Sequence, residues 1–144
     1  MKKKAVVVIA GLGLMVIAAA IHLRSLAVQE SAPDGRLAVI WSSGDPEVAH
    51  RVCFMYSHNA KKQKWFDEVT LIVWGPSARL LAGDKDLQAE VRAMLKDGVK
   101  VEACIACADS YGVTEELRKL GVEVKPMGKP LTDMLKQNQK VLTF

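Results

Sequence analysis

The chain has 144 residues, half of them apolar, which is the size of one domain with a substantial core and excludes a disordered polymer. Its formal charge of +4 is evenly divided, because Lys2, Lys3, Lys4 and Arg24 against Glu30 and Asp34 give +2 to residues 1–35 and leave +2 for the rest. With no concentrated basic face and only three Trp, two Tyr and three Phe, nucleic-acid binding is set aside.

The N-terminus reads as a separate object. Three lysines precede seventeen uncharged residues, 5–21, and a polar run, 29–35, follows. That length lies between the apolar core of a secretory signal and a membrane-spanning helix. Ser25 and Ala27 are spaced as a signal peptidase requires, whereas Arg24 argues against cleavage and the lysines suit an uncleaved anchor held by positive charge on the cytoplasmic side. Residues 1–35 are therefore expected to be a signal peptide or membrane anchor plus linker. Residues 36–144 then form a domain outside the cytoplasm, membrane-anchored or secreted.

From Arg36 onward strands and helices alternate. The apolar run 37–41 ends at Ser42-Ser43-Gly44 and predicts a buried strand. Asp45 and Pro46 open a helix with a capping carboxylate and a proline at the first helical position. That helix is expected to turn Val48, Val52, Met55 and Tyr56 to one side and to run to about Gln63. A second strand, 68–74, is rich in branched and aromatic residues and stops at Gly75-Pro76-Ser77. Helices over 77–82 and 87–95 lead to Asp97-Gly98 and a third strand, 99–103, which delivers Cys104. Thr114 is expected to cap a helix with Glu115 and Glu116 in its first turn, and Gly121 to end it. A fourth strand, 122–124, a helix, 130–136, and a last strand, 141–144, complete the order. Such alternation demands right-handed crossovers and predicts a three-layer α/β sandwich on a mostly parallel five-stranded sheet. Lys100 and Glu102 interrupt the apolar pattern of the third strand, so one of its faces is expected to be partly open near its start or to meet another subunit.

Reactive groups in such a sheet gather at the carboxyl ends of the strands. Three loops lie there: 42–45, 75–77 and 104–107. The third is Cys104-Ile105-Ala106-Cys107. A helical turn beginning at Cys104 would aim backbone N–H groups at its sulfur and favour the thiolate. Cys53, among Val52, Phe54 and Met55, is expected in the core. One Cys-x-x-Cys without a second pair or a nearby histidine does not make a zinc site. His50 and His58, slightly over two turns apart, are expected to share a solvated helix surface, with a subunit contact as the alternative. Ser42-Ser43-Gly44 lacks the lysine and spaced glycines of a phosphate loop.

Trp41-Ser42-Ser43-Gly44-Asp45, Val73-Trp74-Gly75-Pro76-Ser77, the run from Gly98 to Ala108, Tyr111-Gly112-Val113 and Lys140-Val141-Leu142-Thr143-Phe144 resemble the DsrE/DsrF-like family, including its TusD branch. The resemblance covers residues 36–144 and implies a Rossmann-like α/β sandwich. It implies a small oligomeric sulfur carrier, trimeric or hexameric and homo- or hetero-oligomeric, with no cofactor or metal. Such a carrier takes sulfane sulfur as a persulfide on one strand-end cysteine and passes it from a donor protein or polysulfide to an acceptor. Cys104 matches that cysteine. Cys107 stands where the TusD branch has alanine, and it can either resolve the persulfide, releasing sulfide and leaving a disulfide, or protect Cys104. Outside the cytoplasm the pair is expected to be oxidised unless something reduces it. Two other readings stay open: a non-catalytic oligomeric interaction module, and a Cys-x-x-Cys thiol or persulfide redox protein.

Overall fold

The computed structural model describes residues 35–144, so the expected leader, but for Gly35, lies outside the described residues. Among the described residues no helix is long and apolar enough to cross a membrane. The five strands are β1 (Arg36–Trp41), β2 (Glu68–Val73), β3 (Lys100–Cys104), β4 (Glu123–Lys125) and β5 (Lys140–Thr143). They form one sheet in the order β4-β3-β2-β1-β5, and every pair is parallel. The three-layer α/β sandwich is as expected, and its sheet is wholly parallel.

Between β1 and β2 the chain runs through α1 (Pro46–Val48), a π-helical segment (Ala49–Phe54) and α2 (Met55–Lys62). Then come α3 (Pro76–Gly83), α4 (Lys85–Lys96), α5 (Ile105–Ser110), α6 (Thr114–Lys119) and α7 (Gly128–Lys136). The two faces of the sheet are covered unequally. Leu37, Val39, Trp41, Val69, Leu71, Val73, Val101 and Ala103 point into the main core, which also takes the buried residues of the π segment and of α2 to α6. Ala38, Ile72 and Cys104, on the alternate positions, form a smaller cluster with Met127 and with Leu131 and Met134 of α7. This follows from topology. The chain steps in one direction from β1 to β4 and then reverses to reach β5, so with right-handed crossovers the last connection must pass over the opposite face.

Several local expectations hold. Asp45 caps α1, its Oδ1 accepting from the Glu47 N–H at 2.9 Å, and Pro46 takes the first helical position. The π segment, however, corrects the helical phase. Its wider turns shift every later residue around the axis, so Ala49, Cys53, Phe54, Ser57 and Ala60 are buried, while Val52 and Met55 are 40% and 58% exposed. Tyr56 is half-buried and packs against Trp65, ring centroids 6.0 Å apart. Thr114 is a second correction. Val113 holds the cap position, and the Thr114 hydroxyl donates to Asp109 Oδ1 at 2.5 Å, bracing α5 against α6.

His50 and His58 share a face that is only partly solvated, because each is bonded to a carboxylate. His50 Nδ1 lies 2.6 Å from Glu90 Oε1 and His58 Nε2 lies 2.6 Å from Asp97 Oδ2, tying the π segment and α2 to α4 and to the residue after it. The His58 hydrogen bond holds the Asp97 carboxyl below its ordinary range against an opposing effect of burial, helped by the charges of His58, Lys62 and Lys96. A carboxyl depressed in the folded state stabilises fully above its unfolded value, about 3.9, and loses that contribution as pH falls through the folded value. Asp97→Asn should therefore flatten the acid limb of the stability curve below about pH 4. Thermal melts of both proteins between pH 2 and 6 check this, and equal slopes would dismiss the contribution.

Candidate functional site

Each strand of a parallel sheet ends at the same edge, and ligands bind where loops from two adjacent strands leave for opposite faces. Here that point lies between β3 and β4. The loop after β3 enters α5 and α6, whose Ala108 and Leu117 sit in the main core, while the chain after β4 enters α7 over the smaller cluster. Cys104, the last residue of β3, and Lys125, the last of β4, are register partners at that fork.

Cys104 is also the N-cap residue of α5, its backbone still extended (φ −70°, ψ 114°), so the expected helical turn does begin there. It is 7% exposed, in contact with the smaller cluster. Cys107 lies one turn on and is half-buried against the same cluster, with its thiol beside that of Cys104. Neither forms a disulfide in the structure. Burial raises the Cys107 pKa, the Gly75 N–H pulls it back, and the Cys104 side chain pushes it up again, so the thiol form of Cys107 is favoured.

The Gly75 contact depends on an unusual backbone. Gly75 has φ +70° and ψ −134°, a conformation essentially restricted to glycine. The turn is fixed by Ser77, whose hydroxyl donates to the Trp41 carbonyl at 2.5 Å and accepts from the Trp74 N–H at 3.0 Å. One side chain thus ties the carboxyl ends of β1 and β2 and aims the loop at Cys107. A turn further along, the Arg79 guanidinium of α3 lies 5.2 Å from the centroid of Tyr111, which follows α5.

The charged residues of β3 divide: the strand is open at its start, as expected, where Lys100 is exposed, but not at Glu102. Glu102 is buried, its Oε1 accepting from Lys125 Nζ at 2.8 Å, and Lys125 also meets Glu123 Oε1 at 3.0 Å. Partial burial acts to lower the Lys125 pKa, but the hydrogen bonds and charges of Glu102 and Glu123 outweigh it and raise it. Lys100 is exposed and pairs with Glu68 at 2.9 Å. The composition of β3 announced a charged position, but its partners lie on β2 and β4, and no local pattern names them.

The remaining candidates fall outside this fork. Cys53 is fully buried, and burial pushes its thiol up to about 12 against the Ser57 hydrogen bond, so it stays protonated and packs as a small apolar group. The loop Ser42-Ser43 is committed to β5, since the Ser42 and Ser43 N–H groups and the Ser42 hydroxyl all donate to the Phe144 main-chain oxygen, at 2.7, 3.3 and 3.0 Å. Among the described residues no group of three or more His, Cys, Asp or Glu could hold a metal ion. A cleft of about 510 Å³ lined by Lys61, Lys62, Lys64, Phe66, Asp67 and Asp97 lies around the end of α2 and the start of β2, at the amino edge of the sheet and away from the cysteines.

The model of the DsrE/DsrF-like family matches residues 36–144. A conserved protein of unknown function from Bacteroides thetaiotaomicron has a solved structure that is 34% identical, with a TM-score of 0.74 over 76% of this chain and 95% of its own. The YchN protein of Escherichia coli shares the fold at 17% identity, with a TM-score of 0.59 over 76% of this chain and 97% of its own. No curated protein matches the chain.

Proposed function

Because the chain belongs to the DsrE/DsrF-like family, a family known for sulfur relay, we propose that it is a sulfur carrier that takes up sulfane sulfur on Cys104. The observation that carries this reading is the position of Cys104, a nearly buried thiol at the end of β3 where the loops of β3 and β4 diverge. The Cys104 thiolate attacks the outer sulfur of a donor persulfide or polysulfide. A new bond forms to Cys104 Sγ, the donor's S–S bond breaks, and the donor thiolate leaves with the electron pair. The thiolate of an acceptor protein then attacks the outer sulfur in turn and Cys104 departs as thiolate, so sulfur moves without net oxidation. An oligomer, and a position outside the cytoplasm set by residues 1–35, belong to the same proposal.

The contact between the two thiols favours a second outcome at the same site. If the Cys107 thiolate attacks Cys104 Sγ, hydrosulfide leaves with the electron pair and a Cys104–Cys107 disulfide remains. The domain is then a persulfide reductase or redox switch. Exposure of the protein to polysulfide, alkylation without reduction and peptide mass spectrometry separate the outcomes. One reducible extra sulfur on Cys104 supports the carrier. A disulfide with released sulfide supports the reductase, and two unmodified thiols would leave only an interaction module.

A further inference from the structure

Two charged side chains flank Cys104 on its own face of the sheet, and neither belongs to the Cys-x-x-Cys motif. Glu102 precedes it by two residues on β3, about 6.6 Å along the strand, so both side chains leave the same face. Lys125 faces Cys104 in register on β4, about 4.8 Å away at the backbone. Lys125 Nζ reaches Glu102 Oε1 at 2.8 Å. The other oxygen, Glu102 Oε2, is buried with no hydrogen-bond partner, and the side chain is only 10% exposed.

A buried carboxylate with one bare oxygen is only partly compensated, and its field extends through poorly screened surroundings. We infer that the Glu102–Lys125 pair sets the ionisation of Cys104: Glu102 opposes a second anion beside it, thiolate or persulfide, and Lys125 offsets that opposition. Both are positioning residues acting through charge, and touching the sulfur is not required of them. The inference deepens the sulfur-carrier reading and, for its consequence in sulfur transfer, rests on it. A more readily formed Cys104 thiolate accepts sulfur at lower pH and is also the better leaving group when sulfur is handed on.

Other charges around Cys104 are accounted for. In the same cluster as Cys104, Cys107 of α5, Ile72 of β2 and Trp74 just after β2 carry no charge. On α7, Lys129 pairs with Asp133 at 2.5 Å and Lys136 stands exposed in the last turn. On β4, Glu123 is the second partner of Lys125, and Lys100 of β3 is engaged by Glu68.

The test is the pH profile of Cys104 alkylation by iodoacetamide, read by peptide mass spectrometry in the full chain carrying Cys107→Ser. Lys125→Met should raise the midpoint by about 0.5–1 pH unit and Glu102→Gln should lower it by a similar amount. The double variant should return to within roughly 0.3 unit of the parent, because the two charges act on one group. Lys125→Arg, which keeps the charge at a partly exposed position, should leave the midpoint in place and gives the control if Glu102→Gln does not fold. A midpoint unmoved by Lys125→Met, or moved alike by Lys125→Met and Lys125→Arg, overturns the inference. Alkylation reads ionisation whether or not sulfur is loaded, so failure of polysulfide loading in the same proteins would instead count against the carrier reading.

Discussion

Cys104→Ser is expected to abolish sulfur loading, by at least about a hundredfold, in a protein that still folds. The hydroxyl keeps the size of the thiol but is not ionised at neutral pH, so it does not attack a sulfane sulfur. Cys104 sits at the strand end in the smaller cluster that also holds Ile72 and Met127, and exchanging a thiol for a hydroxyl there costs about 1–2 kcal/mol of stability. Cys107→Ser should behave in the opposite way. Loading persists, because the attacking sulfur is untouched, while the persulfide survives longer, because the neighbour that could displace hydrosulfide has gone. Cold cyanolysis of the loaded proteins, with melting curves as the folding control, reads both variants. If Cys104→Ser loads as the parent does, sulfur is held elsewhere and the assignment fails. If both variants lose loading together, the two thiols act as one redox unit.

The sheet was legible because its information is local. Branched apolar runs bounded by Gly, Pro and Ser set the strands to within a residue or two, and the alternation with helices selected a parallel order. The position of Cys104 followed, since a strand end is defined by sequence and by topology alike. What was not legible depends on partners distant in sequence or on helical phase. The π segment inserts no characteristic residue, yet it turns Val52 and Met55 outward and Phe54 inward. Glu102 looked like a sign of an open strand because nothing in residues 99–104 announces Lys125, which arrives through the β3–β4 register. His50 and His58 looked solvated for the same reason, their carboxylate partners lying about forty residues further on. Thr114 satisfies its hydroxyl with the side chain of Asp109, which a helix-start rule based on backbone capping does not anticipate.

The largest stability effect is expected at Trp41, which links the core to the site. Its ring is fully buried and meets Phe54 edge-on, with centroids 4.8 Å apart and planes at 78°. Truncation to alanine should cost about 3–5 kcal/mol, combining lost burial with the cavity left behind. Trp41→Phe should cost much less, about 1–2 kcal/mol, because the indole N–H is buried without a hydrogen-bond partner and its removal relieves a penalty while most of the apolar volume stays. A double-mutant cycle with Phe54→Leu should give a coupling of about 0.5–1.5 kcal/mol for the aromatic pair. Urea unfolding of the parent, Trp41→Ala, Trp41→Phe, Phe54→Leu and the Trp41→Ala/Phe54→Leu double variant measures all three, and a Trp41→Phe as unstable as Trp41→Ala would show that the indole nitrogen has a partner after all. The effect should extend beyond stability. The Trp41 carbonyl receives the Ser77 hydroxyl, Ser77 fixes the turn at Gly75, and the Gly75 N–H reaches Cys107. A cavity at Trp41 therefore loosens the turn that restrains Cys107, and alkylation of Cys107 should change in Trp41→Ala before any global unfolding, while Trp41→Phe leaves it as in the parent.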